Sequence, residues 1–165
     1  MKKVMFLAAM FVAGLSLQAQ EGASIGVNLG IPTGDAGDFS GLSLGIDFNY
    51  LWSASDKFDA GVAVGFSNAF GKDIDTGLGS IELEDIQFLP IAAAGRVHLS
   101  EEFSAGADLG YALGINDGND GGFYYRPILG YSLNEKLGLN LSYTGISLDG
   151  DFNWNTINLG VMLAL

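Results

Sequence analysis

From residue 23 onward, bulky apolar residues alternate with small or polar ones at a period of two, the spacing of a strand whose two faces meet different surroundings. Residues 23–31 put Ala23, Ile25, Val27, Leu29 and Ile31 on one face and Ser24, Gly26, Asn28 and Gly30 on the other. Residues 42–53 set Leu42, Leu44, Ile46, Phe48, Tyr50 and Trp52 against Ser43, Gly45, Asp47, Asn49 and Ser53, with Leu51 the one break. Residues 58–70 and 103–115 repeat the scheme, opposing Phe58, Val62, Val64 and Phe66 to Asp59, Gly61, Gly65 and Ser67, and Leu109, Tyr111 and Leu113 to Asp108, Gly110 and Gly114. Further strands are predicted over 86–99, 123–133, 137–147 and 155–165, which makes eight. Pro90 and Pro127 each remove a ladder donor, so those two strands are expected to carry a bulge or an irregular outer end.

The second face decides which side is inside. A soluble barrel buries its bulky face and covers the other with Lys, Glu, Gln and Thr, whereas here the second face is Gly, Ser, Asn, Ala and a few Asp. Small and polar side chains suit the narrow lumen of eight strands, which leaves the bulky apolar face for lipid. A strand of about twelve residues, ~40 Å long and tilted by about 45°, spans some 28 Å, close to the ~25 Å apolar band of a membrane barrel. The expected architecture is therefore all-β: an eight-stranded antiparallel up-and-down transmembrane β-barrel.

The connections fit this reading. Those after the first, third, fifth and seventh strands run to about 10, 15, 7 and 7 residues, and the others to only about three or four, as outer loops and periplasmic turns do. Both termini then lie on the periplasmic side. Aromatic residues gather at the strand ends, Tyr50, Trp52, Phe58, Phe103 and Tyr131 at one edge and Phe66, Phe70, Phe123, Tyr125, Tyr143 and Trp154 at the other, which predicts two interfacial girdles.

Composition changes the picture at the N-terminus. Lys2 and Lys3 precede an apolar stretch from Val4 to Leu17 and the run Ser16-Leu17-Gln18-Ala19-Gln20, the layout of a signal peptide and too short for a spanning helix. We expect residues 1–19 to be removed after Ala19 and residues 20–165 to form one barrel domain. The chain has no Cys, which excludes thiolate chemistry, disulfides and an N-terminal lipid on cysteine. Net charge is −12, and loss of Lys2 and Lys3 leaves 5 basic and 19 acidic residues, or −14. Such a chain repels nucleic acid.

Several stretches carry a resemblance: the leader ending Gln18-Ala19-Gln20, Phe88-Leu89-Pro90-Ile91, the run Ala105-Gly106-Ala107-Asp108-Leu109-Gly110-Tyr111, Gly130-Tyr131-Ser132-Leu133, and the closing strand Asn158 to Leu165. On these the mature chain resembles the small porin-like or opacity-type outer-membrane β-barrel proteins, with the architecture of the OmpA and OmpX barrels. The resemblance implies residence in the outer membrane of a Gram-negative envelope, contact with its lipid and lipopolysaccharide, passage through the barrel-insertion machinery, and a monomer without cofactor. Barrels of this kind usually end on an aromatic residue; this chain ends on Leu165.

No motif points to catalysis. Gly41-Leu42-Ser43-Leu44-Gly45 matches a nucleophile elbow in letters but sits within an alternating strand. His98, the only histidine, forms with Ser100 a pair similar to the His-x-Ser of lipid A deacylases, yet it falls at the periplasmic end of its strand. Asp149-Gly-Asp151-Phe-Asn153 and Asn116 to Gly122 begin like calcium loops but lack the later ligands, so they read as turns. Of the 19 acids, Asp35, Asp38, Asp73, Asp75, Glu82, Glu84, Asp85, Asp117, Asp120, Asp149 and Asp151 fall in outer loops. Solvation explains them; a rim that weakly holds divalent cations or attracts a cationic ligand is the sharper reading.

The informative charges are Arg96 and Arg126. Either one facing lipid near the midplane would cost about 2 to 4 kcal/mol, so both are expected inside, with Asp47, Asp59 and Asp108, in an interior ion-pair and hydrogen-bond network that plugs the lumen. The leading function is then a non-enzymatic barrel serving envelope integrity or surface interaction. A narrow channel for ions or small solutes is the alternative, and a lipid-modifying enzyme or an adhesin fits less well.

Overall fold

The structure is a computed structural model that describes residues 22–75, 80–148 and 152–165. The leader expected at 1–19 lies outside the described residues, as do Asp149 and Asp151. Strands β1 (Ala23–Thr33), β2 (Ser40–Ser55), β3 (Phe58–Gly71), β6 (Ile86–His98), β7 (Phe103–Gly114), β8 (Gly122–Ser132), β9 (Leu137–Ser147) and β10 (Asn153–Ala164) close into one barrel in the order β1-β10-β9-β8-β7-β6-β3-β2. Every neighbouring pair is antiparallel and the last strand pairs with the first, as in Leu29 opposite Leu159. The eight strands of the sequence reading are these eight.

Two elements enrich the loops. A short helix, α1 (Asp35–Phe39), stands in the first, and a hairpin of β4 (Asp73–Asp75) and β5 (Ser80–Glu82) in the second. The first loop is thereby tied down: Ala36 of α1 is fully buried, and Phe39 meets Phe152 edge-on at 5.7 Å.

The pleat sorts the residues as the alternation demands. Along β10, Ile157, Leu159, Val161 and Leu163 are exposed on the outer wall while Thr156 and Asn158 are buried within. Leu51, the one break in its strand, turns into the lumen and lies across Gly61, where a Cβ would collide with the backbone of Tyr50 and Leu51. The ring of Tyr125 covers Gly145 on the outer wall in the same way, closing the gap a missing side chain would leave.

Neither proline introduces a bulge. Pro90 and Pro127 each pair with β7, opposite Ala112 and Ala107, and on their other side the ladder skips two positions and resumes in unchanged register. A missing donor thus costs a bond without costing alignment. The register shifts occur instead in β2, at Ser40/Leu42 and Ser53/Ser55.

The short turns are closed by side chains. Ser100 Oγ accepts the amides of Glu102 and Phe103, at 3.2 and 3.0 Å. Asn134 Oδ1 accepts those of Lys136 and Leu137, both at 2.9 Å. These local rings satisfy donors that the ladder leaves behind and explain how so few residues reverse the chain.

One aromatic departs from the girdle reading. Trp154 is buried inside the barrel, 5.9 Å from the ring of Phe88, because its parity is that of Thr156 and Asn158. The outward phase of β10 predicts that Leu159→Arg, at mid-strand, lowers folding stability by about 2 to 4 kcal/mol, and Leu163→Arg, near the strand end, by only about 0 to 1. Urea unfolding from lipid vesicles checks this, and equal losses at both positions would contradict the assigned membrane depth.

Candidate functional site in the barrel lumen

The lumen holds two filled layers, with an open chamber toward the short turns. At the long-loop end lies an apolar plug of Phe88, Tyr124, Ile146, Trp154, Ala112 and Ala36, all buried. Sequence reasoning missed this layer. Its signal was parity: Phe88, Tyr124, Ile146 and Trp154 continue the inward faces of β6, β8, β9 and β10 beyond the polar stretch.

The middle layer is ionic. Arg126 on β8 reaches straight across the barrel to Asp47 on β2, four strands away in either direction, with 2.6 Å between Nη1 and Oδ2. Asn28 joins both partners: its Nδ2 donates to Asp47 at 2.6 Å, and its Oδ1 accepts from Arg126 Nη2 at 3.1 Å. Arg126 Nε donates to Ser142 at 2.9 Å. Three edges of the guanidinium are thus engaged from β1, β2 and β9, which fixes the side chain in place. The directed bonds and the bidentate shape of the group favour Arg over Lys here.

Arg96 and Asp108 form a second buried pair on adjacent strands, 2.7 Å apart. Arg96 Nη1 also donates to the carbonyls of Gly95 and Ala107, at 2.9 and 3.2 Å. The contact with Asp108 Oδ1 is therefore mainly Coulombic, and that oxygen accepts no well-directed hydrogen bond. Asp59 stands apart from both pairs, toward the short-turn end. It takes a bond from Ser53 at 2.9 Å and meets His98 Nε2 at 2.7 Å, although Arg96 is its ladder partner. The five residues Asp47, Asp59, Arg96, Asp108 and Arg126 all lie inside, then, but in three clusters rather than one continuous network.

Two cavities border this middle layer. One of about 40 Å³ lies toward the long-loop end beside Ser43, Tyr124 and Trp154, above the ~10 to 15 Å³ that a single water requires. The other, about 190 Å³, lies toward the short turns beside Asn49, Asp59, His98, Ser104 and Asn140. Asp47 and Arg126 line both, so the strut between them is the partition.

The motifs take no catalytic form. Ser43 is buried within β2, with no strand-to-helix elbow around it. Ser100 Oγ is held by its own turn and donates to Glu102 at 3.2 Å, so it does not join His98. In the loop 116–122, Asn116 Oδ1 accepts the amide of Gln87, Asn119 Nδ2 donates to the carbonyl of Gln87, and Gly118 and Gly121 take φ of 78° and 75°. That is a turn locked onto β6. Among the described residues no group of three or more His, Asp or Glu is arranged to hold a metal ion.

The comparisons with known proteins agree with this architecture. A family model described as "Outer membrane protein beta-barrel domain" matches residues 4–164. No curated protein matches the sequence. Among solved structures, Ail of Yersinia pestis in a phospholipid bilayer nanodisc superposes with a TM-score of 0.61 at 16% identity, over 86% of this chain and 97% of Ail. Neisserial surface protein A gives 0.54 at 13% identity, over 88% and 98%. A de novo designed transmembrane β-barrel gives 0.54 at 11%, over 90% and 100%. Ail has also been crystallised with the heparin analogue sucrose octasulfate.

The strut makes a direct prediction. Arg126→Ala leaves Asp47 buried with only Asn28, and is expected to destabilise the barrel by about 3 to 5 kcal/mol. The double variant Arg126→Met with Asp47→Leu, which removes both charges, is expected to recover most of that loss. Chemical unfolding in detergent reads both; a double variant no better than the single would mean that the polar bonds, not the unpaired charge, carry the stability.

Proposed function

The chain belongs to the outer membrane protein β-barrel family of bacteria, and from that premise we propose that it works as a sealed, non-enzymatic barrel whose acidic outer loops are its interaction surface. It resides in the outer membrane, with its short turns toward the periplasm. The observation that carries the sealed reading is the strut from Arg126 to Asp47, reinforced on its outer side by the ring of Trp154 against Phe88. A hydrated ion crossing this lumen would have to break a buried ion pair and then displace the aromatic plug. Both steps are costly.

The outer loops hold 11 acids against one cation, Lys72, whose ammonium is engaged by the carbonyl of Gly37. The Ail complex contains a sulfated ligand; loops of this charge repel such a polyanion. They favour cationic partners, or divalent cations shared with anionic lipopolysaccharide. Residues 1–19 serve as the export signal, and residues 20–165 form the working domain, which inserts through the barrel-assembly route and acts as a monomer.

Planar-bilayer recording of the folded protein is expected to show no stable conductance steps, and steady steps from the unmodified chain would establish the channel reading in its place. In nanodiscs, oligolysine is expected to bind and a sulfated oligosaccharide of equal length is not, an order that added salt weakens and does not invert. N-terminal sequencing of the membrane-extracted protein is expected to begin at Gln20; a start at Met1 would remove the export-signal assignment.

A further inference from the structure

The larger lumenal cavity is unlike the rest of the interior. The plug and the strut are packed with their own side chains, whereas the short-turn half encloses about 190 Å³ walled by groups that bond hydrogen, among them Asn49, Asp59, His98, Ser104 and Asn140. Asn140, itself buried, lines this space from β9. Asn140 stands on β9 and Asp59 on β3, four strands apart, so polar side chains border the chamber on opposite walls.

Charge selects among occupants. The two guanidiniums are each matched by a carboxylate of their own, Arg126 by Asp47 and Arg96 by Asp108. Asp59 is the remaining acid; its partners are Ser53 and a half-exposed His98. Of the chamber's wall charges Asp47, Asp59, Arg96 and Arg126, Asp59 alone has no Arg or Asp of opposite charge paired with it. The strut closes it toward the outer side, and the rim residues Leu51, Tyr131 and Ser132 place its mouth at the short turns.

We propose that this chamber is a periplasm-facing binding site for a small linear amine, its ammonium on Asp59 and its second polar end beside Asn140 across the lumen. The volume is below the ~300 Å³ where pockets for drug-sized molecules begin, so the ligand is a compact metabolite of a few heavy atoms. An anion is disfavoured by Asp59, and a purely apolar guest would leave the wall groups unbonded.

The sequence supplies a reporter. Of the 4 methionines, Met1, Met5 and Met10 lie in the export segment, and Met162, the one remaining, lines the chamber. The test titrates 1,4-diaminobutane into the exported protein, labelled with 13C at the methionine methyl and purified in zwitterionic detergent. The Met162 signal is expected to shift saturably with half-saturation near about 1 millimolar, as suits so small a ligand. Asp59→Asn is expected to raise half-saturation about tenfold, Asn140→Ala to raise it by a smaller factor, and sodium acetate to give no shift. Heat-modifiable migration on gels establishes that each variant is folded before it is compared. The proposal is overturned if the Met162 signal does not saturate, or if Asp59→Asn titrates as the parent does, which would assign the effect to amines gathered at the acidic outer loops.

Discussion

Hydrocarbon offers no hydrogen bonds, so a chain that crosses it must pair every backbone N–H and C=O within itself, and a sheet can do that only by closing. The pairing of β1 with β10 is the bond on which the rest depends. Once the sheet closes with eight strands, the lumen is too narrow for water in bulk yet too wide to leave empty, and side chains must fill it. The inward Gly, Ser and Asn positions let the wall curve, while Phe88, Tyr124, Trp154 and the two arginines fill the space. Gly160 shows how tight the fit is: a Cβ there would collide with the amides of Asn28 and Asn140.

Within that frame, charge inside a barrel poses a problem that register solves. Arg126 and Asp47 are far apart in sequence and on opposite walls, and they meet because alignments around the ring place them at one height. Breaking such a pair costs more than its presence gains, since one buried charge is left behind. The strut is therefore better understood as a constraint that holds the lumen shut and the opposite walls at a fixed spacing than as a large net source of stability.

The pattern that was legible in the sequence is the one set by local chemistry. Alternation at period two fixed strand number, facing and turn length, because each pair of residues carries its own evidence of inside and outside. Three things lay beyond it. Strands of three residues, as in β4 and β5, are too short to show a period. Trp154 sits at a boundary where loop and strand could not be told apart, so its inward turn followed only from the outward face of Ile157 three residues on. The ion pairs were hidden for another reason: parity says that Arg96, Arg126, Asp47, Asp59 and Asp108 share the lumen, but which acid meets which base depends on stagger around the whole ring. Asp59 illustrates this, since Arg96 is its ladder neighbour and yet pairs with Asp108.

That division also bounds what likeness of fold can say about role. A designed transmembrane barrel superposes on this chain as well as Neisserial surface protein A does, so the superposition reports closure and strand number, which any sequence with the right alternation can satisfy. What distinguishes this protein has to reside where alternation leaves freedom: in the charge of its outer loops, in the strut that partitions its interior, and in the polar chamber beneath it. The charges of the outer loops are almost all acidic, and Asp59 in the chamber has no guanidinium of its own. On the reading proposed here, the acidic loops outside and Asp59 within the periplasm-facing chamber are the places where such a molecule would meet cations.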